Sequence, residues 1–144
     1  MLWEELLIDR EPADDALASA LAELFGVGRG DVLVVRDVAA REVPAGVRVL
    51  GERGAAGGDF PARLSIYVLD AGLEATDRAA FVGRFCRRLG CSCLVSDDSP
   101  NPYSMTRVGP EGARARVYLD VERLDERDEY VVTRPAEEEG GAET

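Results

Sequence analysis

Three aspartates follow two apolar segments and are the chain's best candidates for metal chemistry. Asp70 comes directly after the run 64–69, and Asp97 and Asp98 follow the run 91–95. If both runs are parallel neighbouring strands, their carboxyl ends lie side by side, where open α/β sheets bind ligands. Carboxylates there can hold Mg²⁺ and position a phosphoryl group. This alternative predicts a divalent-metal phosphoryl-transfer or hydrolytic enzyme, and it ranks second because Asp is also a common turn residue.

Three cysteines lie close together in the sequence, at Cys86, Cys91 and Cys93. Three thiolates can hold a soft metal, but a fourth ligand is missing and no C-x-x-C spacing occurs. A catalytic cysteine needs a base, and the chain has no His. We therefore expect small buried thiols, with Cys91 and Cys93 on one face of a strand and Cys86 on the preceding helix.

The negative charge of the chain is concentrated at its two ends. The net charge is −11, with seven acids and one Arg in residues 1–28 and ten acids and three Arg in residues 120–144. Such a surface repels phosphates, which argues against nucleic acid or an anionic membrane as partner. It permits a basic protein partner, although plain solubility is the commoner reason for such charge.

A dense acidic run near the C-terminus is the candidate partner-binding surface, because charge steers association and aromatic side chains supply binding hot spots. We call it the acidic cluster. Its residues are Tyr118, Asp120, Glu122, Asp125, Glu126, Asp128, Glu129 and Tyr130. The alternative is a solvated edge of the domain.

Arginines form a second charged group on the predicted terminal hairpin. Arg114 and Arg116 share its wet face, and Arg107 joins them or lies on the other side, depending on the register. Such a cluster can bind a carboxylate or phosphate. In so acidic a chain, we favour pairing with its own Asp and Glu.

Hydrophobic periodicity predicts two helices. Apolar residues recur at helical spacing over 13–25 and 77–89, and Gly26 and Gly90 stand where a left-handed residue ends a helix. Asp77 is a candidate N-cap. Both helices should pack on a sheet.

Apolar runs predict the strands, which are 32–38, 43–50, 64–69 and 91–95, a hairpin over 103–108 and 113–121, and a last edge strand over 130–132. Residues 4–8 fit either a strand or a helical turn, residues 51–58 read as a glycine-rich loop, and residues 122–129 read as a charged turn or single helical turn. The fold class is thus α+β, a mixed and mostly antiparallel sheet of five to seven strands with two main helices on one face. A ferredoxin-like split βαβ core is one arrangement, and strands 64–69 and 91–95 can also have a strand between them. Residues 1–134 form one domain, and 135–144 a disordered acidic tail.

The function that these features favour is non-enzymatic protein binding. In size, charge and lack of catalytic equipment, the chain is similar to immunity proteins as a class, although no motif identifies a family. We expect a small acidic bacterial immunity or antitoxin-type inhibitor of a basic protein, cytoplasmic, without cofactor, and a monomer or homodimer. A self-associating adaptor or structural domain, pairing through the terminal edge strand, is the third hypothesis.

Overall fold

The computed structural model describes residues 2–37 and 42–135. These residues form a mixed sheet of eight strands with three helices. The helices are α1 (Asp14–Phe25), α2 (Arg78–Leu89) and α3 (Val121–Arg127). The strands are β1 (Leu2–Ile8), β2 (Val32–Val35), β3 (Val49–Ala55), β4 (Ala62–Val68), β5 (Cys93–Ser96), β6 (Ser104–Val108), β7 (Arg114–Leu119) and β8 (Val132–Pro135). The predicted α+β class is confirmed, with one more helix and more strands than expected. No helix within these residues is both long and apolar enough to cross a membrane.

The strand order is β2-β3-β4-β1-β5-β6-β7-β8, and every pair is antiparallel except β2 with β3. Strand β1 therefore lies between β4 and β5, with Leu6 opposite Leu64 and Leu7 opposite Leu94. Of the two arrangements left open by the sequence, this is the one with an intervening strand. It separates the ends of β4 and β5.

Helices α1 and α2 begin and end where their sequence signals place them. The side chain of Asp77 accepts a hydrogen bond from the Ala80 amide, 3.2 Å away, and so caps the first turn of α2. Gly26 after α1 and Gly90 after α2 are left-handed, with φ of 70° and 61°. The bounds of both helices lie within one residue of the predicted 13–25 and 77–89, so both helix predictions are confirmed.

The main core lies between these two helices and one face of the sheet. Trp3 from β1 packs edge-on against Phe25 of α1 and Phe81 of α2, with ring centroids 5.1 and 5.0 Å apart. Leu64 and Ile66 of β4 face this cluster and are fully buried. Edge-to-face aromatic contacts add to the apolar burial that holds both helices to the sheet.

A smaller core covers part of the opposite face. Leu94, Val117 and Leu119 are buried there, and Leu124 of α3 packs against them together with Tyr130. Helix α3, at residues predicted to be a charged turn or single helical turn, thus covers the face away from α1 and α2. The acidic cluster is thereby attached to a packed helix.

The predicted strand 43–50 and loop 51–58 are wrong in their bounds, because β3 runs from Val49 to Ala55. A Cβ built on Gly51 would lie 3.2 Å from Leu21 Cδ1 and 3.3 Å from Leu64 Cδ1. The glycine therefore lets α1 approach the sheet closely. It is a packing residue of a strand, a role that composition alone does not distinguish from a loop.

Further bounds differ from expectation. Strand β5 begins at Cys93, since the Cys91 amide still donates to the Cys86 carbonyl, 3.0 Å away, at the end of α2. The last strand starts at Val132, and Tyr130 forms an isolated bridge with Gly58. Of the predicted tail 135–144, Pro135 belongs to β8 and 136–144 lie outside the described residues, as does Val38 of the predicted strand 32–38.

Candidate functional site

Asp70 is held by local contacts at the end of β4. Its Oδ1 accepts a hydrogen bond from the Gly72 amide at 2.9 Å, and its Oδ2 accepts one from Arg48 Nε at 2.8 Å. The Gly72 amide, and after it Arg48, lower the pKa of Asp70. This carboxylate caps a short 3-10 turn, Ala71–Leu73, and pairs with a cation, so its oxygens are already engaged.

Asp97 is the most buried of the three candidate aspartates, with a side chain 6% exposed. Its Oδ2 accepts from Ser104 Oγ at 2.7 Å and lies 3.4 Å from Arg116 Nε. Its Oδ1 accepts from the Ser99 amide at 3.0 Å. These contacts tie the loop after β5 to β6 and β7, which is a structural role.

The structure does not bring Asp70 and Asp97 together. Because β1 separates β4 from β5, the strand ends lie two spacings apart, about 10 Å. Mg²⁺ needs its oxygen ligands at about 2.0 Å. Among residues 2–37 and 42–135, the group of His, Cys, Asp or Glu that converges on one point is Cys86, Cys91 and Cys93. Asp98, in the left-handed region with φ of 60°, lies in the exposed turn after β5.

The acidic cluster is arranged around α3, and half of its acids serve the fold. Asp120 caps the helix by accepting from the Arg123 amide at 3.0 Å. Asp125 Oδ2 accepts from the Tyr103 hydroxyl at 2.8 Å, which raises the pKa of Tyr103. Glu129 Oε1 accepts from Arg123 Nε at 2.6 Å, and this contact raises the pKa of Arg123. These three carboxylates therefore have internal hydrogen-bond partners, and Glu129 also pairs with a cation.

The other three acids of the cluster are Glu122, Glu126 and Asp128. All three are exposed, and their side chains make no hydrogen bond or ion pair with any other residue that the structure describes. Glu122 and Glu126 are four residues apart, so they lie on one side of α3. The outer side of α3 is therefore exposed and negatively charged, and the opposite side packs on the protein through Leu124.

The two tyrosines of the cluster lie in different places. Tyr130 packs against the smaller core, and its hydroxyl accepts from Arg63 Nη2 at 3.3 Å. Tyr118 alternates along β7 with Val117 and Leu119, which belong to that core, so its side chain points to the opposite face. Only Tyr130 therefore adjoins α3 on the same side of the sheet.

The register of the hairpin places Arg107 on a different face from Arg114 and Arg116. Arg116 is opposite Thr106 and Arg114 is opposite Val108, whereas Arg107 is opposite Ala115 on the other face. Arg116 lies near Asp97, and Arg114 Nη1 donates to the Ala79 carbonyl at 3.1 Å. The expected pairing with the chain's own acid is seen for Arg116.

A cleft that sequence reasoning missed lies between β1, α2, the turn after β5 and β7. It has a volume of 230 Å³ and is lined in part by Glu4, Arg78, Asp98 and Arg114. Burial raises the pKa of Glu4 above its ordinary value. The volume is below the range of about 300–1,000 Å³ usual for small-molecule sites. Four separate elements supply these residues, so no local signal in the sequence announces the cleft.

The three cysteines form the densest set of potential ligands in the described residues. Their sulfur atoms all lie within 4.8 Å of one another, and the exposed fractions of Cys86, Cys91 and Cys93 are 0%, 2% and 0%. Cys91 lies in the link after α2 and not on β5, so the expected shared strand face is wrong for that residue. All three are free thiols.

Contacts within the cluster shift the pKa values of the three thiols in different directions. Contact with the thiol of Cys91, and then with that of Cys93, lowers the pKa of Cys86 against the effect of burial. When protonated, Cys86 Sγ donates to the Val108 carbonyl, 3.5 Å away. Contact with Cys86 in turn raises the pKa of Cys91 to about 12 and raises that of Cys93 as well. A second thiolate would face the first in an apolar core, so at most one sulfur is ionised at neutral pH.

Comparisons of the chain with protein-family models, with curated proteins and with solved structures find no match.

Proposed function

We propose that this protein is a non-enzymatic binding domain, a small acidic inhibitor of the bacterial immunity or antitoxin type, that covers a basic surface of a protein partner. The observation that carries the proposal is the outer side of α3, where Glu122 and Glu126 lie exposed without internal partners. Because the apolar side of α3 packs on the protein, the helix loses little conformational entropy when these charges bind a partner.

Charge and packing together support a protein partner. The net charge of −11 favours a basic surface and repels phosphates. Tyr130, beside α3, is half-buried and held by Arg63, so it offers a preorganised aromatic surface of the kind that dominates binding energy. Three free buried thiols are compatible with the reducing bacterial cytoplasm, which we propose as the compartment.

The same strands and helices suggest a finer description of the fold. Strands β3, β4, β1 and β5, with α1 and α2 on one face, have the order and crossovers of a ferredoxin-like split βαβ core. Strand β2 extends this unit on one side, and β6 to β8 extend it on the other. In this interpretation, α3 belongs to the extension, which places the proposed binding face outside the core unit.

The experiment is affinity capture from the native host with the full-length chain as bait. We expect one basic protein in a stoichiometric amount at low salt. Its recovery should fall at least about tenfold with Glu122→Arg/Glu126→Arg, because like charges then meet across the interface. Recovery of the bait alone at all salt concentrations, or of a basic protein that the variant captures equally well, would contradict the proposal.

The matched control reverses two exposed acids elsewhere, Glu11→Arg/Glu111→Arg, and changes the net charge by the same amount. Glu111 lies in the turn before β7 and α3 follows the end of that strand, about 20 Å away at the usual rise per residue. Capture that survives in the control and fails in the α3 variant assigns the effect to the surface and not to total charge.

A further inference from the structure

We propose that Cys86, Cys91 and Cys93 form a three-thiolate site for a trivalent thiophilic centre, which they take up as arsenous acid. This site is independent of the proposed partner surface, because it lies beneath α2 on the opposite side of the sheet from α3. The sequence alone favoured simple packing thiols at these positions.

The positions of the sulfur atoms suit a single small centre. All three lie within 4.8 Å of one another. A centre bonded to three sulfurs at about 2.3 Å, the length of a zinc–thiolate bond, holds them no more than about 4.0 Å apart. Closure of the cluster therefore requires movements of about 1 Å or less, which rotation about the side-chain bonds can supply.

The coordination number that this cluster offers is three. Among the residues described, no additional His, Cys, Asp or Glu joins the group, and its members are at most 2% exposed, so water has little access as a further ligand. Structural zinc sites require four ligands in tetrahedral geometry. Trivalent arsenic forms three bonds and keeps a lone pair on its fourth side, so it needs no further donor.

Charge selects the same class of centre. Three thiolates carry three negative charges, which a monovalent or divalent ion leaves partly uncompensated and a trivalent centre neutralises. The cluster belongs to the main apolar core, beside Val95 and Val108. An uncompensated charge in an apolar core is strongly unfavourable, so the neutral complex is the one that this environment tolerates.

The proton balance also favours arsenous acid over a metal cation. A metal cation must expel the protons of the three thiols to solvent. Arsenous acid instead breaks three As–O bonds, each hydroxyl leaves with one thiol proton as water, and three As–S bonds form. One As(OH)₃ and three thiols give one arsenic trithiolate and three waters, with no oxidation or reduction.

Access is through the link between α2 and β5. Cys91 is next to Gly90, which is exposed and left-handed, and is two residues from the start of β5. The amide and the carbonyl of Ser92 in this link are each hydrogen-bonded to Asp9 at 3.0 Å, so a local opening that exposes a thiol must break these two bonds. Binding should accordingly be slow compared with binding to an exposed thiol pair.

Native mass spectrometry of the wild-type protein, after incubation with sodium arsenite under reducing, anaerobic conditions, tests the proposal. We expect one adduct, heavier by one arsenic atom and lighter by three hydrogens, and three sulfur neighbours in the arsenic X-ray absorption spectrum. An adduct heavier than that by one water, which means that only two thiols reacted, would overturn the proposal. Failure to bind at one equivalent would overturn it as well.

Substitution supplies the second test. Cys91→Ser should lose the three-sulfur adduct and bind arsenite at least about tenfold more weakly, whereas Ser92→Ala, which changes a non-thiol residue of the same link, should bind as the wild type does. If Cys91→Ser does not fold, the wild-type adduct still decides. Zinc binding that arsenite does not displace would contradict the assignment.

Discussion

Replacement of Asp97 by alanine distinguishes a structural carboxylate from a metal ligand. In the structure, Asp97 joins the loop after β5 to β6 and β7 through Ser99, Ser104 and Arg116. We expect Asp97→Ala to destabilise the fold. A carboxylate kept for metal binding would behave in the opposite way, since its removal from a metal-free site relieves repulsion between like charges.

The magnitude follows from the three contacts. The bond from Ser104 Oγ to the carboxylate, 2.7 Å long and largely buried, contributes about 1.5–3 kcal/mol as a charge-assisted hydrogen bond. The bond from the Ser99 amide contributes about 1 kcal/mol. The pair with Arg116, whose side chain is 54% exposed, contributes less than about 1 kcal/mol. Because neighbouring contacts are not additive, the expected loss is about 2–4 kcal/mol, or about 10 °C in Tm.

Urea denaturation followed by circular dichroism measures this loss, as a lower midpoint at an unchanged slope. Asp98→Asn is the matched control, because it removes a neighbouring exposed carboxylate and keeps a residue that tolerates the left-handed backbone. We expect the control to change stability by less than about 0.5 kcal/mol. Unchanged or increased stability in Asp97→Ala, or Mg²⁺-dependent stabilisation of the wild type that the variant lacks, would refute the reasoning.

Three further predictions concern the core, a turn and a titrating group. Phe85→Ala, at a fully buried position of α2, should cost about 3–5 kcal/mol in urea denaturation, and an unchanged midpoint would contradict the packing described. Gly58→Ala should lower Tm and alter the near-ultraviolet spectrum, since φ is +77° and a Cβ would lie 2.8 Å from the Tyr130 carbonyl oxygen; retention of both wild-type values would be inconsistent with this contact. Burial raises the pKa of Glu4 in the folded state. The stability that protonated Glu4 contributes is therefore present below the pKa of the unfolded state and is lost as pH rises through the pKa of the folded state. Glu4→Gln should therefore raise stability near neutral pH by less than about 1 kcal/mol, with a smaller gain near pH 4, and pH titration of the thermal midpoint should show this difference.

Elements with several agreeing local signals were predictable from the sequence. Helix α2 combines an apolar stripe, the N-cap Asp77 and the left-handed Gly90, and its bounds are confirmed to within one residue. The bounds predicted for β3 were wrong because the reason for Gly51 is its packing against Leu21 and Leu64, which are distant in sequence. Such a long-range packing reason leaves no periodic signal in the segment itself.

The candidate sites also differ in how much of each could be predicted from the sequence. Asp70 and Asp97 were placed correctly at strand ends, but whether they meet depends on the strand between them, and β1 comes from the far end of the chain. The convergence of the cysteines was visible only as closeness in sequence. The three sulfur atoms come together because the turn at Gly90 brings Cys91 back to Cys86. The exposed side of α3 depended on Leu124, whose apolar partners come from other strands.

The proposed function requires that the acidic face of α3 binds a basic protein surface. Isothermal titration of the captured partner into the purified full-length chain, at low and at physiological salt and again with Glu122→Arg/Glu126→Arg, measures this binding. We expect one partner per chain, an affinity that falls as salt rises, and at least about tenfold weaker binding by the variant. Equal binding by wild type and variant, or an affinity that does not respond to salt, would contradict it.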